Sequence, residues 1–155
     1  MIDNKDNIKR VFDVVPDVVR YCYLIADQTR PGDAALVNHV LADDVMRRGH
    51  VLFMYNRGHF PLGFIKGHIM KYPEFNMWWP STCQAKIDFL FVDRRYHRSG
   101  VGRALIGAYE QYCVENNVSD VFLYRAPTLQ ARNFYEKHGY VELNECLLMT
   151  KSLVR

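Results

Sequence analysis

Apolar residues recur along this chain with two different periods, and the points where the period changes mark out its elements. Ile8 to Val15 carries Val11, Phe12, Val14 and Val15, which favour extended backbone, and predicts a first strand. Pro16 then suits the first turn of a helix, expected to run to Gln28 with Val18, Cys22 and Ile25 on one face. Pro31-Gly32 is expected to interrupt it. A second helix follows from Asp33 to Arg48, with Leu36, Val37, Val40 and Leu41 at helical spacing and Arg47, Arg48 and Gly49 closing it. Val51 to Tyr55 and Phe60 to Met70 read as two strands around the turn Asn56-Arg57-Gly58-His59. Residues 72–82, rich in proline and aromatics without period, read as a loop.

In Ala85 to Val92, Ile87, Phe89 and Phe91 alternate with Lys86, Asp88 and Leu90, so a strand with one strongly apolar face is expected. Gly100 to Asn116 returns to helical spacing through Val101, Ala104, Leu105, Ala108 and Tyr112. Val121 to Tyr124 is a short strand, Pro127 to His138 a helix stopped by Gly139, and Tyr140 to Leu153 one or two closing strands. The order βααβββαβαβ predicts a mixed α/β fold, a central mixed sheet flanked by helices, as one domain over residues 1–155.

Composition narrows the function without naming it. With 155 residues, 49% hydrophobic and 24% charged, the chain fits one folded domain. A net charge of +3 is too small to argue for nucleic-acid binding, and no partner of that kind is expected. Cys22, Cys83, Cys113 and Cys146 form no Cys-x-x-Cys pair, and no histidine lies in a His-Glu-x-x-His pattern, so no metal is expected. The charged start MIDNKDNIKR and the lack of a long apolar run point away from a signal peptide or membrane span and towards the cytoplasm.

The most informative segment is Arg94 to Ile106, RRYHRSGVGRALI, where Arg94, Arg95, His97, Arg98 and Arg103 surround two glycines at the start of a helix. Free N–H groups and the positive dipole end there favour an anion, and glycine permits close approach. Gly100 and Gly102 fit that role, with Arg98 and Arg103 as charged donors to phosphate. Leu105 stands where a dinucleotide fingerprint needs its third glycine, and no Gly-Lys-Ser/Thr is present, so neither NAD nor ATP is favoured.

The same segment resembles the acyl-CoA-binding motif of GNAT superfamily N-acetyltransferases, Gln/Arg-x-x-Gly-x-Gly/Ala, with Val92, Gly100, Gly102 and Leu105 in register and His97 in place of the usual Gln or Arg. Downstream, LQARNFYEKHGY is similar to the family's Ala-x-x-Phe-Tyr-Glu-x-x-Gly-Phe signature at Ala131, Phe134, Tyr135, Glu136 and Gly139. Thr128 stands where many relatives carry a CoA-contacting Asn, and Asn133 is the substitute candidate.

The resemblance implies an acyl-CoA N-acyltransferase fold and direct transfer from acetyl-CoA, as co-substrate, to a primary amine in a ternary complex. The backbone of Leu90, Phe91 and Val92 would hold the pantetheine arm. His97, Arg98, Ser99, Gly100, Val101, Gly102, Arg103 and Ala104 would hold the pyrophosphate, and Tyr135 would protonate the leaving sulfur. Relatives often have Glu at the position of Lys86. Asp88, on the same strand face, is therefore the first candidate for the base, with Glu74, or His68 acting through water, as alternatives, and a salt-bridged surface role for Asp88 equally open. Phe75, Met77, Trp78 and Trp79 either line an acceptor pocket or cover the core edge. The acceptor is expected to be a small-molecule amine, with protein lysine or N-terminal acetylation, or a non-catalytic acyl-CoA-binding regulatory module, as the alternatives. Two further readings are nucleic-acid binding through Arg94 to Arg103 and a Cys83 nucleophile, the latter without a local signature. Dimers are common among relatives, which leaves a homodimer open by analogy.

Overall fold

The computed structural model describes residues 7–13, 15–44, 47–71, 83–143 and 146–153. Its elements are β1 (Ile8–Arg10), α1 (Pro16–Thr29), α2 (Pro31–Asp44), β2 (His50–Arg57), β3 (Phe60–Lys71), β4 (Cys83–Val92), α3 (Val101–Glu115), β5 (Asp120–Tyr124), α4 (Leu129–Lys137), β6 (Val141–Glu142) and β7 (Leu148–Ser152). A single 3-10 turn, Arg94–Tyr96, lies between β4 and α3. The expected order therefore holds, with the closing segment resolved into two strands.

Three boundaries differ, each for a local reason. β1 stops at Arg10, and Phe12 beyond it is 67% exposed beneath the Arg10 guanidinium. Val11 still bonds the Leu52 carbonyl at 2.8 Å, and strand propensity is overridden only from Phe12, where the chain leads out of the ladder. The helical run is interrupted as expected, but at Arg30, and the second helix starts at Pro31 instead of Asp33. Pro31 opens α2 at the position where a missing N–H costs nothing, one residue after Arg30 has closed α1 by donating to the Ala26 carbonyl. α2 ends at Asp44 instead of Arg48, and Gly49, at φ +87°, turns the chain into β2. The loop expected over residues 72–82 lies outside the described residues.

The seven strands form a mixed sheet in the order β1-β2-β3-β4-β5-β7-β6. β4 and β5 are parallel, while β1/β2, β5/β7 and β6/β7 are antiparallel. A parallel pair needs a crossover, and α3 is that crossover. Residues are grouped into two compact units, 1–67 with 89–109, and 68–88 with 110–155.

In the first unit Cys22, Ile25 and Ala26 of α1 and Ala34, Val37 and Leu41 of α2 pack with Leu52, Met54 and Phe64 from the strands. Phe89 and Phe91 lie against that cluster, with the Phe91 ring 5.7 Å from Phe64. Full burial of each large apolar side chain contributes about 1.5–3 kcal/mol, which fixes the end of β4 on this core.

In the second unit Val121, Leu123, Tyr140 and Met149 are buried, and a polar lock sits among them. Tyr140 donates its hydroxyl proton to Glu110, and the Lys151 ammonium donates to both Glu110 oxygens, at 3.1 and 3.0 Å, and to the His138 carbonyl at 2.7 Å. Gly139, at φ +92°, makes the left-handed turn that ends α4 above this lysine. Among the described residues no helix is long and apolar enough to cross a membrane.

Candidate active site

The end of β4 is built differently from its beginning. Its parallel register with β5 runs from Gln84↔Asp120 to Ile87↔Leu123, yet β4 continues to Val92. Asp88 to Val92 thus extend past the paired stretch. Past Tyr124 the chain keeps to the β7 side: the Arg125 N–H bonds the Leu147 carbonyl and its guanidinium is paired with Glu142, and Pro127 soon follows without a donor. On the β5 side these last residues have no register partner, although the Val92 carbonyl is taken by His97.

Beyond Val92 the chain is pinned by Asp93, which is 4% exposed. Its N–H bonds the Leu62 carbonyl at 2.7 Å, and its carboxylate accepts from the Arg95 amide at 3.0 Å, from the Arg95 guanidinium at 3.2 and 3.1 Å, and from Gln28 at 3.3 Å. The Arg95 side-chain hydrogen bonds, above all, hold this carboxyl below the usual carboxylate range against the opposing effect of burial, with the Arg95 amide and Gln28 helping. Gln28 also accepts from the Arg94 amide at 2.9 Å, so the last turn of α1 fixes where the loop starts.

The loop then coils for anion binding. Arg98 takes φ +63° and Gly100 φ +92°, a left-handed pair that turns successive amides inward. The first bond of α3 runs from the Ala104 N–H to the Gly100 carbonyl at 3.0 Å. The N–H groups of Val101, Gly102 and Arg103 precede that ladder and are the orphan donors of the helix start. No acidic residue lies in the first turn to compete with a phosphate. Val101 and Leu105 anchor the turn from beneath, both buried against Gly63, where even a Cβ would come within 3.1 Å of each.

Three of the residues expected at the phosphate have other commitments. His97 donates its Nε2–H to the Val92 carbonyl at 2.9 Å, which closes the loop on the strand end. The Ser99 hydroxyl donates to the Tyr96 carbonyl, and the Ala104 amide is already in the helix ladder. Arg98 and Arg103 are exposed. Gln28 and Gly63, which shape the loop, carried no sequence signal, because each acts through a partner far away in sequence.

On α4, Thr128 is the N-cap and accepts from the Ala131 N–H at 3.2 Å, so this position serves the helix. Asn133 is exposed. Tyr135 is 9% exposed, with its ring edge-on to Phe134 and to Tyr140. Its hydroxyl has no hydrogen-bond partner among the described residues, and burial pushes its pKa well above the ordinary tyrosine value.

Asp88 is held by the His68 Nδ1 at 2.8 Å, with the Lys86 ammonium 4.0 Å away on the other oxygen. Lys86 also lies over the Tyr124 ring, 5.4 Å from its centre. Glu74, Phe75, Met77, Trp78 and Trp79 lie outside the described residues. All four cysteines are free thiols. Burial pushes the Cys83 thiol up, with Lys71 acting only in partial opposition, which disfavours the thiolate a nucleophile requires.

Comparison with known proteins agrees with this geometry. No significant match was found among curated proteins. An aminoglycoside 6'-N-acetyltransferase complexed with coenzyme A is similar at a TM-score of 0.69 and 14% identity, covering 96% of this chain and 97% of that one. PaiA N-acetyltransferase from Thermoplasma acidophilum in complex with coenzyme A gives 0.69 and 13%, covering 94% and 98%. The ribosomal-protein-S18-alanine N-acetyltransferase from Escherichia coli gives 0.68 and 15%, covering 96% and 95%. At such identities the likeness establishes the fold. The sequence itself matches the family model described as Acetyltransferase (GNAT) family over residues 20–140, and the chain therefore belongs to the GNAT acetyltransferase family.

Proposed function

We propose that this protein transfers the acetyl group of acetyl-CoA to the primary amine of a small molecule by direct attack in a ternary complex. The observation that carries this reading is the start of α3. There Gly100, at φ +92°, presents the amides of Val101, Gly102 and Arg103 to a diphosphate, with Arg98 and Arg103 exposed beside it. His97 and Ser99 support the loop's shape, and Asn133 on α4 is an exposed donor for the rest of the cofactor. The end of β4, past its register with β5, supplies backbone among Leu90, Phe91 and Val92 for the amides of the pantetheine arm, and an N–H there polarises the thioester carbonyl.

Transfer makes three demands. The amine, an ammonium at neutral pH, must lose a proton; the carbonyl oxygen must be stabilised as charge develops; and the departing thiolate must be protonated. Tyr135 meets the third, since a buried phenol keeps its proton until an anion appears beside it. The Asp88 carboxylate serves the first, through the contacts described above.

The test measures release of free thiol from acetyl-CoA over a panel of polyamines, aminoglycosides, amino acids, and peptides with a free N-terminus or lysine. Amine-dependent thiol release with a small amine is expected. Binding of acetyl-CoA without turnover on any amine would replace the transferase by a binding module, and turnover confined to peptides would reassign the acceptor.

A further inference from the structure

We infer that Gln28, at the end of α1, is a positioning residue of the cofactor loop, and that coenzyme A affinity depends on its side-chain amide; this rests on the acetyl-CoA reading above. Gln28 bridges two consecutive residues. Its Nε2–H donates to the Asp93 carboxylate at 3.3 Å, and its Oε1 accepts from the Arg94 N–H at 2.9 Å. Its backbone carbonyl accepts from the Arg94 guanidinium, so three bonds join the last turn of α1 to the first two residues after β4. All of these groups, and the loop through the start of α3, lie in the first compact unit.

The chemistry of the position selects an amide. Asp93 requires a donor and the Arg94 N–H an acceptor, and a carboxamide presents both, on two separate atoms and without charge. Gln28 is itself exposed, so its side chain adds little to the core. Cys22, Ile25 and Ala26, on the preceding turns, are buried in the cluster with Leu52, Met54 and Phe64 and fix where α1 ends. The amide transmits that fixed position to the loop. From Asp93 the bonds continue, with the Asp93 carbonyl accepting from the Tyr96 N–H at 2.9 Å and the Tyr96 carbonyl from the Ser99 N–H at 3.3 Å, one residue before Gly100. A diphosphate that needs the amides of Val101, Gly102 and Arg103 in one arrangement binds more weakly in proportion to the time the loop spends outside it.

The test measures coenzyme A affinity by calorimetry for the unaltered protein, Gln28→Ala, Gln28→Glu and Thr29→Ala, with thermal unfolding to establish that each is folded at the assay temperature. Thr29 is the control, because it is exposed on the same turn and its hydroxyl donates to the Ala26 carbonyl within α1. Gln28→Ala should weaken coenzyme A about 5- to 30-fold, the effect of losing two hydrogen bonds that order the loop, and Thr29→Ala should leave the affinity unchanged.

Gln28→Glu keeps the acceptor for Arg94 but, while charged, sets a second carboxylate against Asp93. The groups facing it are Asp93, which disfavours its charge, and Arg94 and Arg95, whose guanidinium groups are engaged by the residue 28 carbonyl and by Asp93. Once protonated, it donates to Asp93 as the amide does. Its affinity deficit, taken against the unaltered protein at each pH, should therefore be present at about pH 8 and narrow towards about pH 5, while that of Gln28→Ala stays constant. A general packing defect would not separate the two variants in this way. Undiminished coenzyme A affinity in Gln28→Ala overturns the inference, as does an equal loss in Thr29→Ala or a Gln28→Glu deficit that does not respond to pH. If Gln28→Ala does not fold, the pH response of Gln28→Glu decides. Failure of the unaltered protein to bind coenzyme A removes the cofactor reading itself, and the positioning role with it.

Discussion

Replacing Gly63 by alanine puts one methyl group where β3 and the start of α3 come closest. A Cβ there would lie 2.9 Å from the Phe91 carbonyl oxygen, 3.1 Å from a Leu105 methyl and 3.1 Å from a Val101 methyl. The two methyls can yield by small rotations, but the Phe91 carbonyl is backbone, so β3 and the end of β4 must separate. Overpacking of this kind costs about 1–3 kcal/mol. Against it stands the gain from a less flexible unfolded chain, about 0.4–1 kcal/mol for Gly→Ala at an unstrained site. The clash wins by about 1–2 kcal/mol, which for a chain of this size lowers Tm by roughly 2–8 °C. Gly107, also on α3, is the control: its Cβ would meet nothing within 4 Å, so Gly107→Ala should gain up to about 1 kcal/mol from helix propensity. Thermal unfolding of both variants, with and without coenzyme A, measures the pair of signs. Because Phe91 and Val101 flank the proposed cofactor backbone, Gly63→Ala should also lose part of the ligand-induced stabilisation. A Tm equal to or above that of the unaltered protein would refute the packing argument.

Other consequences can be checked independently. Gly100→Ala forces a side chain into φ +92° and should cost about 1–3 kcal/mol while weakening coenzyme A binding, read by calorimetry. Tyr135→Phe should lower turnover with little change in acetyl-CoA affinity; steady-state kinetics that match the original enzyme would remove its acid role. Asp93, whose folded pKa is depressed, contributes stability that is present above the unfolded carboxylate pKa of about 3.9 and lost as pH falls through the lower folded value. The stability gap between the unaltered protein and Asp93→Asn, from denaturant unfolding, should therefore be full at pH 7 and narrow below about pH 4. Tyr135 and Tyr140 have raised folded pKa values, so their contribution is complete below the unfolded phenol pKa of about 10 and declines above it, giving an alkaline loss of stability that chemical denaturation at pH 8 and 11 should detect.

The shape of the loop proposed to hold the cofactor could be anticipated from the sequence because its chemistry is local. A glycine-bearing helix start makes an anion site from consecutive amides, and Gly100 and Gly102 announce it within a few residues. Where the β4/β5 register stops had no local sequence signal, since it depends on how strands distant in sequence meet. His97 illustrates the opposite error. A histidine in a basic loop reads as a phosphate donor, but its Nε2–H goes to the Val92 carbonyl and closes the turn. Proline punctuation marked the break between α1 and α2, but Pro31 itself opens α2, because one residue between two helices is enough when Arg30 already satisfies the end of the first. The pairing of His68 with Asp88 lay beyond sequence reasoning for the same reason as Arg125 with Glu142: strand register decides which residues meet, and register is set by the whole sheet.

The two buried tyrosines near the end of α4 sit in environments that give their phenols different hydrogen-bond partners. Tyr140 and Tyr135 stack edge-on, 5.7 Å between ring centres, and burial raises both pKa values. Tyr140 spends its proton on Glu110, which Lys151 neutralises while also binding the carbonyl at the end of the helix. Removing that proton would leave a phenolate against a carboxylate, so Tyr140 is locked as a donor and holds α4 in place. Tyr135 has no such acceptor among the described residues, and an unsatisfied buried hydroxyl costs about 1–3 kcal/mol. Under the transferase reading proposed above, a thiolate developing beside the phenol would relieve that cost only as the C–S bond breaks.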